Sequence, residues 1–423
     1  MSTIGESAYR VSEALRHRVP DRLPVDVGST FVSGIHVSCV AALRRHFGLD
    51  GGPVRILDPG QMLGEVAADL KEILHIDTEP LLRRGTKFGF AMENFKPFHM
   101  DDGLEVLVPG QFCTTKDADG STLLYPQGDL TASPCARMPA GGYFFDAIIR
   151  QPPIDDDALN PEDNLEEFTR VPDADIDELE VRAKAARATG RAVVASLGGT
   201  SFGDIALVPG MSLKNPRGIR DVAEWYMSIR MRRDYIEKVF DGQCRIALDN
   251  LERMTKRLAP YVDVINICGT DFGTQTSSFC SVSTFRDLWL PFYKQVNDCI
   301  HRNTPWKTFK HSCGAVEKFI ESFLDCGFDV LNPVQCSASG MEPEVLKQKY
   351  GSRIVFWGGG VDTQKTLPFG TPDEVRRQVL ARCEVFAKDG GFVFNTVHNI
   401  QAGTPVENIL AMFGALDEVR GVR

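Results

Sequence analysis

An imidazole and a thiol stand two residues apart in Phe309-Lys310-His311-Ser312-Cys313-Gly314. Residues 306–309 read as a short strand. If that strand continues, His311 and Cys313 project from one face, because successive strand side chains alternate. Nitrogen and sulfur donors aimed at one point suit zinc, which binds such ligands tetrahedrally. Two ligands do not make a site, and a buried cysteine beside a hydrogen-bonded histidine explains the pair equally well. The rest of the C-terminal half decides between these readings.

Three further segments place reactive groups after apolar runs. Asp271 opens Asp271-Phe-Gly-Thr-Gln275, Asp362 ends Gly358-Gly-Gly-Val-Asp362, and His398 opens His398-Asn-Ile-Gln401. With His311, Cys313 and His398 as ligands, a fourth position stays open for substrate or water, as catalytic zinc requires. Cys336 is a reserve thiolate, so the third ligand lies between His398 and Cys336. Cys268 and Cys280 read as packing residues. Asp271 and Asp362 are candidate acid–base groups, the alternative being N-caps or loop hydrogen bonds. Gln275, Gln364, Asn399 and Gln401 offer amides to a polar small molecule. Glycines 358–360 would let backbone approach a ligand, although tight turns also use glycine.

These residues need a scaffold that gathers distant segments. After residue 190, short apolar runs at 192–197, 262–267, 306–309, 329–334, 354–358 and 391–395 alternate with helical patterns. Helices are expected over 284–302, 315–326 and 373–388, with a last one starting near Pro405. Such alternation implies a parallel sheet covered by helices. A (β/α)₈ TIM barrel is favoured over a doubly wound sheet because reactive residues follow nearly every strand, and barrel sites lie at the strand C-termini. Residues 22–27 could supply an early strand. Residues 86–147 differ: their alternation and the Asp119-Gly120 hairpin signal predict an inserted antiparallel β meander. It serves either as a cap over the mouth or as a structural lobe or dimer contact, with a homodimer as one assembly. The expected division is 1–85 for N-terminal helices and first strand, 86–150 for the cap, and 151–423 for the barrel body. The acidic run 155–180 reads as a solvated connector and helix start.

Bulk properties narrow the partners. The 423 residues are 43% hydrophobic and 25% charged, with a net charge of −10. No basic stripe marks a nucleic-acid footprint, so nucleic acid is not an expected partner. Eleven scattered cysteines favour free thiols in a reducing compartment. The first thirty residues resemble an amphipathic helix more than a signal peptide, and no run is long enough to cross a bilayer. A cytoplasmic protein with no membrane partner is expected.

The motifs resemble the uroporphyrinogen decarboxylase superfamily. The likeness rests on His311-Ser-Cys-Gly314, Asp329-Val-Leu-Asn-Pro333, Trp357-Gly-Gly-Gly-Val-Asp362, His398-Asn-Ile-Gln401 and Thr404-Pro-Val-Glu-Asn408. It runs from about residue 190 to 420 and fades between 30 and 180. The superfamily holds decarboxylases and cobalamin-dependent methyltransferases, both built on (β/α)₈ barrels. Its decarboxylases carry an N-terminal Arg-Gln-Ala-Gly-Arg segment that holds substrate carboxylates. Here the corresponding stretch is Asp26-Val-Gly-Ser-Thr30, so the resemblance leans toward the methyltransferase branch. Zinc-using members of that branch have His-x-Cys and, much later, a second Cys shortly before Thr-Pro-x-Glu-Asn. His311 and Cys313 match the first pair, but His398 stands where the second Cys would be, and decarboxylases also have a His near there.

The resemblance implies transfer of a methyl group between a small O-, N- or S-methylated substrate and a corrinoid. Zinc would activate the leaving group or, in the reverse direction, an acceptor thiol. The chain shows no Asp-x-His-x-x-Gly corrinoid-binding segment, so cobalamin is expected on a partner corrinoid protein. Two rivals are a metal-free decarboxylating lyase, which would need cations at the mouth, and a non-catalytic corrinoid or tetrapyrrole binder.

Overall fold

The computed structural model describes residues 5–49 and 51–421. Seven parallel strands form one curled sheet in chain order: β1 (Thr78–Leu82), β2 (Ala192–Ser196), β3 (Val264–Cys268), β4 (Lys307–His311), β5 (Val330–Asn332), β6 (Val355–Trp357) and β7 (Phe392–Val393). The early segment around Val25 bridges the two edges. Val25 pairs in parallel with Phe394 just past β7, and its carbonyl accepts from the Asp77 amide just before β1 at 2.8 Å. The sheet therefore curls as expected, with the eighth position held by a bridge instead of a full strand.

The strands alternate between two cores. On the outer face Val193, Ile265, Leu331, Phe356 and Phe392 meet the helices. On the inner face Val194, Val264, Phe309, Val330, Val355 and Val393 fill the interior together with Ala8, Val11 and Ala14 of helix α1 (Glu6–Leu15). Two residues further along the same face the interior turns largely polar, with Ser196, Asn266, His311, Asn332 and Asn395, while β6 keeps the buried Trp357 there. Since i and i+2 share a face, an apolar floor and a polar layer above it follow from the strand sequences alone. His311 belongs to that polar layer.

The element boundaries depart from expectation in physically clear ways. The helix expected over 284–302 is two helices, Val282–Leu288 and Leu290–Asn303. Pro291 sits in the first turn of the second, where its missing N–H costs nothing. Residues 315–326 form a 3₁₀ turn, Glu317–Phe319, and then the helix Ile320–Asp325. The last helix is Val406–Arg420.

Residues 86–150 divide between two sheets. Lys96–His99 and Glu105–Val108 pair antiparallel and join Val54–Asp58 and Leu63–Gly64. Thr114–Lys116, Thr122–Leu124, Ala136–Met138 and Asp146–Ala147 form a separate antiparallel sheet, with the Asp119-Gly120 turn between its first two strands. Phe112 joins the two sheets, its ring 5.3 Å from Phe98 and 5.8 Å from Phe145. Among the described residues, no helix is long and apolar enough to cross a membrane.

Candidate metal centre

His311 ends β4 and is 3% exposed. The register of β4 on β5 sets it opposite Asn332, and its Nδ1 lies 2.6 Å from Asn332 Oδ1. The Asn332 amide nitrogen donates in turn to the Trp357 carbonyl at 2.7 Å, which fixes the amide's orientation. Asn332 thus presents its carbonyl oxygen, so the ring donates from Nδ1 and leaves the Nε2 lone pair free. That nitrogen lies 3.3 Å from Cys313 Sγ.

Cys313 reaches this place by a different route from the one expected. The strand ends at His311, so the pleat does not aim the thiol. Instead the Cys313 amide donates to Asp271 Oδ1 at 2.6 Å, the Phe272 amide to Ser312 Oγ at 2.9 Å, and the Ala315 amide to the Thr274 carbonyl at 2.8 Å. The loops after β3 and β4 meet backbone to backbone. A Cβ at Gly314, whose φ is +87°, would lie 2.4 Å from the Gly273 carbonyl carbon. Glycine is required there by both conformation and space.

His398 completes the group, although it does not close a strand. It lies in the loop beyond β7, with its ring 5.5 Å from that of His311. One ligand atom from each of His311, Cys313 and His398 lies within 4.8 Å of the others. Cys336 is outside this cluster, and its thiol points to the Val334 carbonyl at 3.4 Å.

Burial dominates the electrostatics. It lowers His311 to about 4, against the support of Asn332, and lowers His398 to about 4 with help from His311. Both rings are therefore neutral at pH 7, the form that ligates a metal. Burial and Asp271 hold the Cys313 thiol well above its ordinary value. Burial also raises Asp271, whose Oδ1 is 3.9 Å from His311 Nε2. Behind the cluster, the ammonium of fully buried Lys310 donates to the carbonyls of Thr270 at 2.6 Å and His311 at 2.5 Å. Phe272, Tyr293 and Phe323 surround it, with ring centres 4.9, 5.9 and 5.5 Å away.

The other expected site residues are distributed more widely. Asp362 Oδ1 accepts from the amides of Gln364 and Lys365 at 2.7 and 3.0 Å, shaping its own loop. Gln275 donates to Gln364 across an exposed gap at 3.0 Å. Asn399 is fully buried and ties three segments together. It accepts from the Gly34 amide at 2.6 Å and donates to the Phe31 carbonyl and to Gln61 Oε1. The Gln401 carbonyl accepts from the Cys39 thiol at 3.3 Å and from Thr404 Oγ1 at 2.8 Å.

Two residues were missed by sequence reasoning. Asn332 lies within Asp329-Val-Leu-Asn-Pro333, and the polar residue ending an apolar strand was the available signal. Asp204 lies in the glycine-broken loop after β2. It is 8% exposed and raised by burial to about 6. No periodic pattern points to it.

Comparison with known proteins adds a family. A search of curated proteins gives no match. Among solved structures, a methyltransferase from Methanosarcina mazei is 16% identical, covers 97% of this chain and 98% of its own, and has a TM-score of 0.54. D-psicose 3-epimerase from Clostridium cellulolyticum H10 is 11% identical over 60% of this chain and 84% of its own, with a TM-score of 0.34. The first likeness shows a shared fold, and the second carries no argument. The uroporphyrinogen decarboxylase (URO-D) family model matches residues 150–419, more than half of the chain and every residue of the His–Cys–His cluster. The chain belongs to the URO-D family.

Proposed function

We propose that this protein is a methyltransferase of the URO-D family. It moves a methyl group between a small methylated substrate and a corrinoid carried by a partner protein. The His311–Cys313–His398 cluster carries this reading, because a decarboxylating lyase has no use for a borderline-soft ligand set at the mouth. The donor set fits zinc. Two neutral imidazoles and a thiol converge, and Asn332 fixes the His311 tautomer with Nε2 facing the thiol. Bound there, zinc would supply Lewis acidity toward the leaving heteroatom or lower the pKa of an acceptor thiol.

The chain's own residues do the rest. Asn332 orients His311, and Asp271 positions Cys313 through its amide. Gln275, Gln364 and Gln401 are assigned to the substrate side of the mouth, while Asn399 and Asp362 shape the loops that bound it. The sheets of residues 86–150 are assigned as a cap over the mouth. The full M. mazei methyltransferase-like architecture and the absent Arg-Gln-Ala-Gly-Arg segment support this branch over decarboxylation.

The test uses reduced cobalamin as methyl acceptor, free or loaded on a corrinoid protein, with methylated small molecules as donors. Methylcobalamin should form only when this protein is present, and uroporphyrinogen should not be decarboxylated. His311→Ala should raise the transfer barrier by several kcal/mol, on the order expected for losing metal-ion activation. Near-full activity in that variant would assign the cluster a structural role.

A further inference from the structure

Asp204 lies against the loop that carries Asp271 and, among the described residues, has no salt-bridge partner. Cross-loop bonds place it. Thr270 Oγ1 and Trp289 Nε1 donate to the Phe202 carbonyl at 3.2 and 3.0 Å, and Thr200 Oγ1 donates to the Ile267 carbonyl. The loop after β2 is thereby fastened to the loop after β3, in which Gly269 stands two positions before Asp271. Asp204 Oδ2 lies 3.1 Å from where a Cβ on Gly269 would stand, so a larger residue there would press on that carboxyl. Its Oδ1 accepts from the Ala206 amide at 3.0 Å. Among the described residues, no Lys, Arg or His lies within ion-pair distance of it.

A carboxylate taken out of water without a counter-charge is costly, so its affinity for a proton rises. The groups that act on Asp204 agree with this. Burial and Asp271 favour the protonated form, opposed first by the Ala206 amide and then by Lys310 and Lys87. Tyr226 feels both Asp271 and Asp204, with Cys280 beyond. Its hydroxyl is buried without a hydrogen-bond partner, and its ring stacks on Phe279 at 4.9 Å. Asp204, Asp271 and the unpartnered Tyr226 hydroxyl thus influence one another, and Asp271 holds the Cys313 amide. A polar group entering beside that hydroxyl would satisfy it.

We propose that Asp204 is a further catalytic residue, whose protonated carboxyl gives its proton to the heteroatom released by the methyl donor. This rests on the methyltransferase reading and narrows the donor to a methyl ether. An ether oxygen leaves as a basic alkoxide or phenoxide and must gain a proton, whereas a quaternary ammonium leaves as a neutral amine and needs none. In the balanced step, the O–CH₃ bond breaks and its electron pair stays on oxygen. The electron pair of cobalt(I) forms the new bond to the methyl carbon. The Asp204 proton moves to that oxygen, leaving an alcohol or phenol, a methylated cobalt(III) corrinoid and an Asp204 carboxylate that reprotonates from solvent.

The test compares the full-length protein with Asp204→Asn, using cob(I)alamin as acceptor and anisole and 4-nitroanisole as donors. General-acid catalysis matters most where the leaving group is most basic. Asp204→Asn should therefore lose about a hundredfold or more with anisole, but far less with 4-nitroanisole. Equal losses with the two donors, or none, would overturn the proposal while leaving the methyltransferase reading intact. Failure of the unaltered protein to demethylate either ether would remove the ether assignment, and the proposal with it. A second measurement needs no turnover. Infrared spectra at pH 5 should show a protonated-carboxyl stretch in the unaltered protein that is missing in Asp204→Asn. Absence of that band in the unaltered protein would overturn the proposal on its own.

Discussion

His311 and Cys313 become a candidate metal pair only through residues that neither motif nor spacing announces. The imidazole could point either nitrogen at the thiol, and Asn332 decides which. Because the Asn332 amide is spent on the Trp357 carbonyl, its oxygen must face His311 Nδ1. Asn332→Leu should leave that N–H buried without an acceptor and free the ring to turn. Zinc affinity should then fall by roughly 10–100-fold, as outer-shell substitutions usually do, measured by competition with a chelating dye. Unchanged affinity would show that β4 alone holds the ring. Cys313→Ala removes a ligand directly. Zinc content, measured by elemental analysis of protein purified without added metal, should drop from about one per chain to a small fraction. The unfolding transition of the metal-free protein should stay nearly where it was, since the thiol is not part of the barrel's apolar cores. Full zinc occupancy in that variant would sink the assignment.

The strands were readable because each is a short buried run bounded by polar or glycine residues, as in Ala192–Ser196, where every residue is buried. The switch from an apolar floor to a polar layer was also present in the pattern, with Phe309 and His311 two apart on β4. What the sequence could not convey is how loops with no period cross between strands. Cys313 is aimed by Asp271 and not by strand pleating, His398 lies well past its strand, and Asp204 is fixed by bonds to another loop. Asp362 sits in the right place along the chain, yet its carboxylate is used by its own turn. The division of 86–150 into two sheets escaped notice because each hairpin is local, while the parallel pairing of Glu105–Val108 with Val54–Asp58 is long-range. The closeness of the two metal-site loops gives a direct test. Gly314→Ala places a Cβ 2.4 Å from the Gly273 carbonyl carbon at a φ of +87°. Backbone strain of this kind costs roughly 1–3 kcal/mol, so urea unfolding should shift by that order and zinc binding should weaken as Cys313 moves. A variant equal to the parent in both respects would show that the loops can part without disturbing the centre.

Acid sensitivity follows from charges distributed through the whole fold. Burial lowers three histidines, His36, His311 and His398, to about 4 from 6.5. Between those values the unfolded chain holds protons that the folded one refuses, so stability must fall as pH drops from about 6.5 toward 4. Each ring contributes a loss of about 3 kcal/mol by the lower end of that window. Four buried carboxyls act in the opposite sense, Glu167 and Asp263 beside Asp204 and Asp271. Asp204 is raised to about 6 and Asp271 is raised as well, so below about pH 6 the folded state holds their protons more tightly than the unfolded chain does. His36 isolates one of the losses because it lies outside the metal cluster. It is the N-cap of helix α2 (Val37–His46), accepting at Nδ1 from the Ser38 amide at 3.2 Å, with Nε2 3.1 Å from the Tyr143 carbonyl. Protonation at Nδ1 would abolish that cap. In chelator-treated protein, His36→Gln should flatten the decline of unfolding free energy between pH 6.5 and 4, whatever it costs at neutral pH. Asp204→Asn should steepen the same decline by removing a gain of opposite sign. Urea unfolding across that range reads both slopes. Parallel curves for the three proteins would mean that these groups titrate alike in the folded and unfolded chains, and that the buried charges assigned to the mouth are solvated after all.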